Sequence, residues 1–441
     1  MDNIYIRKEY VEKLINYMNN DLIKIITGIR RSGKSTLLKI IHQYLKNINI
    51  SDLNIIYINF EDINYIHIRN YMDIINYILP KVNRTEKFYF LFDEIQEVKD
   101  WERAIEGFRV GHNVEIFITG SNSKLLSSEY RTLLSGRYLE IHVYPLSFKE
   151  YIEINGFEIF LKKYVTIETF ATIDKNNKEY SIESHFENYI RSGGFPGLTN
   201  LEIGRKDYIK NIIEQIIVDD ISDRINKRKD RKFKNEALLR QIMKFLSENI
   251  GSNISFRNIT NSLNNEEILA KSKHNYSINT IIDYTMSLVE AYIFYKSDRF
   301  DLRGKKYIIN IEKFYVVDLG IRNLVLNDFQ VETDFGHKIE NIVYIELLRR
   351  GYNVTVGKID NIEIDFIASK DDKSIFIQVT QNISKEDTYN REIKPLLKLK
   401  TNHEKLILVY DSYLDSKIEG VRVMKITDWL LTEESVYKEI Y

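Results

Sequence analysis

The sequence predicts an α/β fold whose amino-terminal part is a parallel sheet covered by helices. Short apolar runs typical of buried strands occur at 22–26, 53–60, 88–92 and 114–119. A glycine-bearing segment follows the first run, and a helical pattern of apolar residues follows that segment. Acidic or polar residues lie within two positions after each of the other runs. Strands that alternate with helices in this way are typical of a parallel sheet.

Composition limits the classes of protein to be considered. The chain has 441 residues, a formal net charge of −1 and no cysteine, and a chain of this length predicts about two to four domains. The lack of cysteine excludes disulfides and cysteine-built zinc sites and fits a reducing cytoplasm. The charged first 20 residues are unlike a signal peptide, and no long uncharged apolar stretch predicts a membrane span. We therefore expect a cytoplasmic protein without a membrane partner.

Residues 27–38, TGIRRSGKSTLL, match the phosphate-binding loop pattern G-x-x-x-x-G-K-[ST] without a gap. Glycine at both ends lets backbone N–H groups turn inward around phosphate oxygens at the start of a helix. The lysine can reach the β- and γ-phosphates, and the following serine hydroxyl can ligate Mg²⁺. A glycine-bearing turn before a surface helix is the alternative. The predicted nucleotide-binding residues are Gly28, Ile29, Arg30, Arg31, Ser32, Gly33, Lys34, Ser35 and Thr36.

Two adjacent acids, Asp93 and Glu94, follow the apolar run at 88–92, which is the Walker B arrangement. Asp93 is predicted to hold Mg²⁺ together with Ser35, and Glu94 to orient and polarise the attacking water. A purely structural role for the pair is the alternative. Glu61 and Asp62 also follow a predicted strand, so they lie either near the nucleotide or in a solvated loop.

The run at 114–119 ends in Gly120-Ser121-Asn122-Ser123. Asn122, or Ser121 beside it, is predicted to hydrogen-bond the γ-phosphate or the lytic water. The alternative is a polar turn that caps the following helix.

Four segments together resemble the bacterial and archaeal AAA+-type ATPases whose ATPase domain precedes a carboxy-terminal domain of unknown function. The segments are GIRRSGKST, FDEIQEVKDWE, FITGSNSKLL and LLSGRYLEIHVYPLSFKEY, and the resemblance covers residues 1–150. It implies ATP and Mg²⁺ as cofactors and makes a homo-oligomer one expected assembly. It also implies that Arg137 acts as an arginine finger or sensor for a γ-phosphate, in its own subunit or a neighbour's. Arg131 competes for that role, and either arginine can instead pair with a surface acid.

Two further segments are predicted after the ATPase domain. Residues 151–230 are expected to form a helical lid and linker, with a hinge at Gly193–Gly197. Residues 231–325 contain three helical patterns and then two alternating segments, which is a winged-helix pattern. The basic run at 227–234 is either a solvated linker or a contact to nucleic-acid phosphates. The partner is therefore an unidentified protein or DNA.

Residues 326–441 resemble the PD-(D/E)xK nuclease fold in the order helix-acid, strand-acid, strand-acid-or-amide. Glu340, Asp365 and Gln378 match the metal-binding positions of that pattern, and Glu363 on the same strand can add a ligand. Thr380 stands where the catalytic lysine belongs, and threonine carries no charge to polarise water. The domain is thus expected to be a degenerate, nuclease-like one, with an active nuclease or a different fold as the alternatives.

The sequence as a whole predicts an ATP-hydrolysing motor or switch that acts on a protein or DNA partner. Two alternatives remain open: an ATP-gated nuclease, and a sensor or scaffold that hydrolyses ATP slowly.

Overall fold

A computed structural model of the chain describes residues 5–120, 136–163, 168–199, 201, 203–217, 221, 235–265, 275–304, 306–359, 362–383, 386–399, 401–411 and 416–432. Within these ranges the chain forms two compact units. The first lies within Met1–Pro145 and includes Glu290–Tyr292, and the second lies within Leu146–Val289 and Ile293–Tyr441. None of the described helices is both long and apolar enough to cross a membrane.

The first unit is built on a five-stranded sheet. Its strands are β1 (Ile23–Thr27), β2 (Ile55–Asn59), β3 (Phe88–Asp93), β4 (Val114–Thr119) and β5 (Tyr138–His142). They lie in the order β2-β3-β4-β1-β5, and every neighbouring pair is parallel. The predicted parallel α/β sheet is therefore confirmed. Because all strands run the same way, the ends of β1, β3 and β4 meet at one edge.

Helices cover both faces of this sheet. The helices are α1 (Lys8–Asn16), α2 (Lys34–Asn47), α3 (Tyr71–Ile78) and α4 (Trp101–Gly111). Leu91 belongs to the core that includes residues of α1 and α2, whereas Phe90 and Phe92 belong to the core that includes residues of α3 and α4. Successive strand residues point to opposite faces, so a strand covered on both sides is largely apolar. This explains the continuous apolar runs in the sequence. The buried exceptions Lys24 of β1 and Glu115 of β4 form an ion pair with each other.

The amino-terminal part of the second unit contains strands as well as helices. It comprises α5 (Phe148–Ile154), β6 (Glu158–Lys163), β7 (Glu168–Ile173), β8 (Glu179–Ser181), α6 (Ile182–Ser192) and α7 (Arg205–Gln215). Strands β6, β7 and β8 form an antiparallel sheet. The structure thus corrects the prediction that 151–230 is helical. Threonine, isoleucine and phenylalanine are frequent in β7, and these residue types favour strands.

Three helices and a hairpin follow in the predicted order. They are α8 (Glu236–Glu248), α9 (Phe256–Asn265), α10 (Ile278–Glu290), β9 (Phe294–Asp301) and β10 (Lys306–Val316). Strand β9 also pairs in parallel with a later strand, β11 (Asn353–Ile359). The hairpin therefore belongs to the large sheet of the second unit. The winged-helix assignment and the domain boundaries at 150, 230 and 325 stay predictions.

The large sheet has eight strands in the order β10-β9-β11-β12-β13-β14-β16-β15. Its remaining strands are β12 (Ile362–Lys370), β13 (Lys373–Thr380), β14 (Glu404–Val409), β15 (Ser416–Ile418) and β16 (Val421–Lys425). The accompanying helices are α11 (Leu319–Leu326), α12 (Phe335–Arg349), α13 (Glu386–Lys398) and α14 (Ile426–Leu431). A mixed sheet thus follows the parallel one, while the nuclease-like assignment stays a prediction.

Candidate functional site

The loop between β1 and α2 has the backbone shape that its glycines permit. Gly28 has φ +134°, and a Cβ atom there would lie 2.1 Å from the carbonyl oxygen of Val143. Gly33 has φ +102° and immediately precedes α2. Both conformations strongly disfavour other residues. Gly28 is therefore required because the Val143 backbone lies so close to it, and Gly33 because its backbone has a positive φ.

Lys34 is buried and spans the loop. Its Nζ donates hydrogen bonds of 3.0 Å to the carbonyl oxygens of Gly28 and Ile29. The Ser32 hydroxyl is buried and has no hydrogen-bond partner among the described residues. Arg31 and Thr36 are exposed, whereas Ile29 is fully buried and can offer only its backbone to a ligand. The loop therefore holds an ammonium group and an unsatisfied hydroxyl, which fits an anionic ligand.

Asp93 lies at the end of β3 and is bonded to two hydroxyls. Ser35 Oγ donates to Asp93 Oδ1 (3.0 Å), and Thr119 Oγ1 donates to the same oxygen (2.5 Å). Burial raises the pKa of Asp93, and Glu94 adds to the rise, while the bonds from Thr119 and Ser35 oppose it. Serine and aspartate oxygens side by side are the ligand type that Mg²⁺ prefers. The predicted pair of magnesium ligands, Ser35 and Asp93, is thus brought together.

Glu94 follows Asp93 in a left-handed backbone conformation, with φ 53°. Its N–H donates to Thr119 Oγ1 (2.9 Å), and its carboxylate accepts a hydrogen bond from Gln96 Nε2. A positive φ is uncommon for glutamate and is held here by the surrounding bonds. Gln96 therefore engages the side chain that is predicted to polarise water.

Thr119 is a site residue that the sequence analysis missed. It ends β4, which lies between β1 and β3, and its hydroxyl connects Asp93 with the backbone of Glu94. The available signal was its place as the last residue of an apolar strand, before Gly120. The predicted residues Asn122 and Ser121, and the competing Arg131, lie outside the described residues.

The two acids after β2 have different surroundings. Glu61 Oε1 lies 3.8 Å from the guanidinium of Arg30 in the loop. Burial raises the pKa of Glu61, and the nearby negative charge of Glu94 raises it further. Asp62 instead accepts a hydrogen bond from the backbone of Asn64 (2.9 Å) in a short turn. Only Glu61 is therefore brought toward the nucleotide site.

Arg137 lies at the edge of the sheet opposite the loop. Its carbonyl accepts a hydrogen bond from Ile23 N (2.9 Å) at the start of β1, and its side chain pairs with Glu106 of α4. The phosphate loop begins at the other end of β1, about 16 Å away at 3.3 Å per residue. The structure therefore does not bring Arg137 to the loop of its own chain, and a role toward a neighbouring chain stays a prediction.

Arg7 supports the loop from behind and was not predicted. Its guanidinium is buried and donates to the carbonyls of Ser32 (3.0 Å), Tyr144 (2.8 Å) and Pro145 (3.3 Å). The loop and the segment after β5 are thereby fixed to one side chain. No local sequence pattern signals this role, because the three acceptors are backbone atoms.

In the second unit, two predicted metal ligands have protein partners. Glu340 Oε1 accepts hydrogen bonds from Lys313 Nζ (3.0 Å) and Tyr315 OH (2.7 Å). Asp365 Oδ2 accepts one from Val379 N (2.8 Å). Burial raises the pKa of Asp365 well above its usual value, and Glu340 adds to the rise.

The third predicted ligand, Gln378, has both of its polar atoms engaged. Its Oε1 accepts from Asp365 N (3.2 Å), and its Nε2 donates to Glu392 (2.9 Å). Within the described ranges, no three histidine, aspartate or glutamate side chains are placed so that they could hold a metal ion together. Groups of the chain itself thus bind Glu340, Asp365 and Gln378, and their role as metal ligands stays a prediction.

Comparisons with known proteins relate the chain to one described family and to several relatives. Residues 20–152 match a family described as AAA domain, and residues 183–332 match a domain of unknown function (DUF8612). An uncharacterised protein of Haemophilus influenzae is 37% identical over 427 residues, covering 96% of this chain and 98% of that protein. An uncharacterised protein of Methanocaldococcus jannaschii is 31% identical, covering 98% of this chain and 94% of that protein.

Two solved structures are similar at lower identity. The Walker-type ATPase of Pyrococcus abyssi is 16% identical with a TM-score of 0.45, covering 73% of this chain and 96% of that one. The ORC2 protein of Aeropyrum pernix, solved as ADPNP–ADP complexes, is 10% identical with a TM-score of 0.39, covering 75% of this chain and 95% of that one.

Proposed function

Because this chain belongs to the bacterial and archaeal AAA-type P-loop ATPases with a further domain of unknown function, we propose that it binds ATP with Mg²⁺ and hydrolyses the ATP. One observation carries this proposal. Asp93 accepts hydrogen bonds from both Ser35 and Thr119, and Thr119 also accepts the N–H of Glu94. The phosphate loop and the acidic pair are thus parts of a single hydrogen-bonded assembly.

Lys34 would bind the phosphates of ATP. Its ammonium already lies inside the loop, bonded to two carbonyl oxygens that a phosphate oxygen can replace as acceptors. The backbone N–H groups at the start of α2 would add hydrogen bonds to the same phosphates. Binding and positioning therefore come from the loop itself.

Ser35 and Asp93 would hold Mg²⁺, directly or through water. When bound, Mg²⁺ neutralises negative charge on the phosphate oxygens. Thr119 would keep the Asp93 carboxylate in place, because its hydroxyl donates to Oδ1 (2.5 Å). Ser35 and Thr119 thus both help to position the Asp93 carboxylate.

Glu94 would accept a proton from the attacking water as the bond to the γ-phosphorus forms and the bond to the leaving ADP oxygen breaks. Thr119 fixes the Glu94 backbone, and Gln96 holds its carboxylate. Glu94 must leave Gln96, or share its carboxylate, to orient water. This bond supports a second candidate, a sensor or scaffold in which ATP turnover is slow.

We further propose that ATP binding and hydrolysis drive a motor or switch that acts on a protein or DNA partner through the second unit. In a homo-oligomer, Arg137 would serve the phosphates of a neighbouring subunit, since it lies far from the loop of its own chain. Arg137→Ala should then lower turnover without changing ATP affinity. Mixing it with a Lys34→Ala chain should restore part of the turnover only if subunits share sites.

Measurements of ATP binding and turnover test the proposal. Lys34→Ala should abolish ATP binding, whereas Lys39→Ala, which removes an exposed lysine of the same helix, should not. Glu94→Gln should keep ATP binding and reduce turnover by about 10²–10⁴-fold. The matched variant Glu97→Gln, at an exposed position, should change little.

The outcomes separate the candidates. Retained affinity in Lys34→Ala would mean that the loop does not bind the phosphates. Equal turnover in Glu94→Gln and the parent chain would remove the hydrolase and leave the sensor or scaffold.

A further inference from the structure

An ammonium group lies inside the acidic cluster of the second unit. Lys313 Nζ is 3.0 Å from Glu340 Oε1 and 2.8 Å from Glu363 Oε1, and only 3% of the lysine side chain is exposed. The charge of Asp365 also acts on this lysine. We call Lys313, Glu340, Glu363 and Asp365 the Lys313 cluster. Its lysine comes from β10, its glutamates from α12 and β12, and its aspartate from β12.

Other protein groups bind the carboxylate oxygens of the Lys313 cluster. Tyr315 OH donates to Glu340 Oε1 (2.7 Å), and Val379 N donates to Asp365 Oδ2 (2.8 Å). Glu363 Oε2 accepts from Arg299 NH2 (2.7 Å) and Asn253 Nδ2 (2.9 Å). The acids are therefore stabilised by donors that belong to the chain itself.

A divalent ion does not fit among these groups. Mg²⁺ requires oxygen ligands at about 2.0–2.1 Å and several of them at once. An ammonium hydrogen-bonded to two of the same carboxylates occupies the volume between them and repels a second cation. Gln378 is the remaining predicted ligand, and both of its polar side-chain atoms already form hydrogen bonds, with Asp365 and Glu392.

We propose that the Lys313 ammonium takes the place of the divalent cation in this nuclease-like region, which makes the site metal-free. The lysine provides the positive charge that buried carboxylates need, and it is fixed by the fold. The second unit then performs no metal-dependent phosphodiester cleavage. This inference does not depend on ATP hydrolysis at the phosphate loop.

Mn²⁺ titration by calorimetry, without nucleotide, tests the proposal. The full-length chain should carry Asp93→Asn, which removes the carboxylate predicted to bind metal at the phosphate-loop site. This parent should show no saturable Mn²⁺ binding. Adding Lys313→Ala should create a saturable site and make the thermal midpoint rise with Mn²⁺. The matched control Lys373→Ala, which removes an exposed lysine of the same unit, should create neither.

Two results would overturn the proposal. One is saturable Mn²⁺ binding in the parent that is lost on Asp365→Asn. The other is a folded Lys313→Ala chain that gains no Mn²⁺ site. If Lys313→Ala does not fold, the parent titration decides alone, since binding that depends on Asp365 refutes the proposal and its absence at millimolar Mn²⁺ supports it.

Discussion

Replacing Thr119 with valine removes the hydroxyl that connects the acidic pair while keeping the shape of the side chain. Thr119 is fully buried. Its Oγ1 donates to Asp93 Oδ1 at 2.5 Å and accepts from Glu94 N at 2.9 Å. Both partners stay in place in the variant, and each loses a hydrogen bond.

The size of the effect follows from these two bonds. A hydrogen bond to a charged group contributes about 1.5–3 kcal/mol, and a buried N–H without an acceptor costs about 1–3 kcal/mol. If the bond to Asp93 stabilises the transition state by that amount more than the ground state, its loss lowers turnover by about 10–150-fold, because 1.36 kcal/mol corresponds to a factor of ten. The bond from Thr119 also lowers the pKa of Asp93. Its loss should therefore move the acidic limb of the pH–rate profile to higher pH.

Steady-state ATP hydrolysis as a function of pH measures both effects. Thr119→Ser keeps the hydroxyl and should retain most of the turnover and the pH profile of the parent chain. The reasoning fails if Thr119→Val turns over within about twofold of the parent with an unmoved acidic limb, since two lost bonds of the strength above forbid that result.

Three further predictions concern Gln96, Arg7 and Asp318. Gln96→Ala frees the Glu94 carboxylate and should raise single-turnover hydrolysis by up to about 10–150-fold, the equivalent of one hydrogen bond to a charged group. Arg7→Met removes the hydrogen bonds that the guanidinium donates to buried carbonyls, and it should destabilise the first unit by about 2–4 kcal/mol in urea unfolding. Burial raises the pKa of Asp318 to about 6, so between pH 4 and pH 6 the folded state binds more protons than the unfolded state. The free energy of unfolding should therefore fall by about 3 kcal/mol as the pH rises from 4 to 6. Unfolding of a Trp101→Phe chain, followed by fluorescence of the remaining tryptophan, measures this fall.

Each of these predictions has a matched control and a contrary result. Glu97→Gln controls for Gln96→Ala, and an unchanged or slower single turnover would show that Gln96 does not restrain Glu94. Lys8→Met removes an exposed cation beside Arg7, and equal stability of the two variants would contradict the bonds to the loop. Asp318→Asn should flatten the pH dependence of the free energy of unfolding. An unchanged slope would mean that another group causes the pH dependence.

The parallel sheet and the centre of the nucleotide site could be predicted because their signals are local. The residues from Gly28 to Ser35 are contiguous, and Asp93 and Glu94 directly follow the apolar run at 88–92. A buried strand is largely apolar on both faces, and a polar residue at its end is then conspicuous. The strands at 158–181 escaped prediction, because exposed and partly buried strands carry no such continuous run.

Residues that act from distant segments could not be predicted in this way. Thr119 and Arg7 are separated in sequence from the loop that they support, and only the strand order and the backbone carbonyls bring them to it. Their chemistry is ordinary, so neither residue type stands out. Such positions can be identified only once the strand order and the tertiary contacts are known.

The same reasoning from spacing rests on different geometry in the two units. In the phosphate loop, the groups predicted to bind phosphate are neighbours in sequence, so a match to the motif also determines their geometry. In the second unit, the acids match a pattern of spacing, but β10 inserts Lys313 among them from outside that pattern. A carboxylate surrounded by donors from its own chain has little left to gain from a metal ion. Spacing therefore identifies a site only where the same short segment also determines which groups fill it.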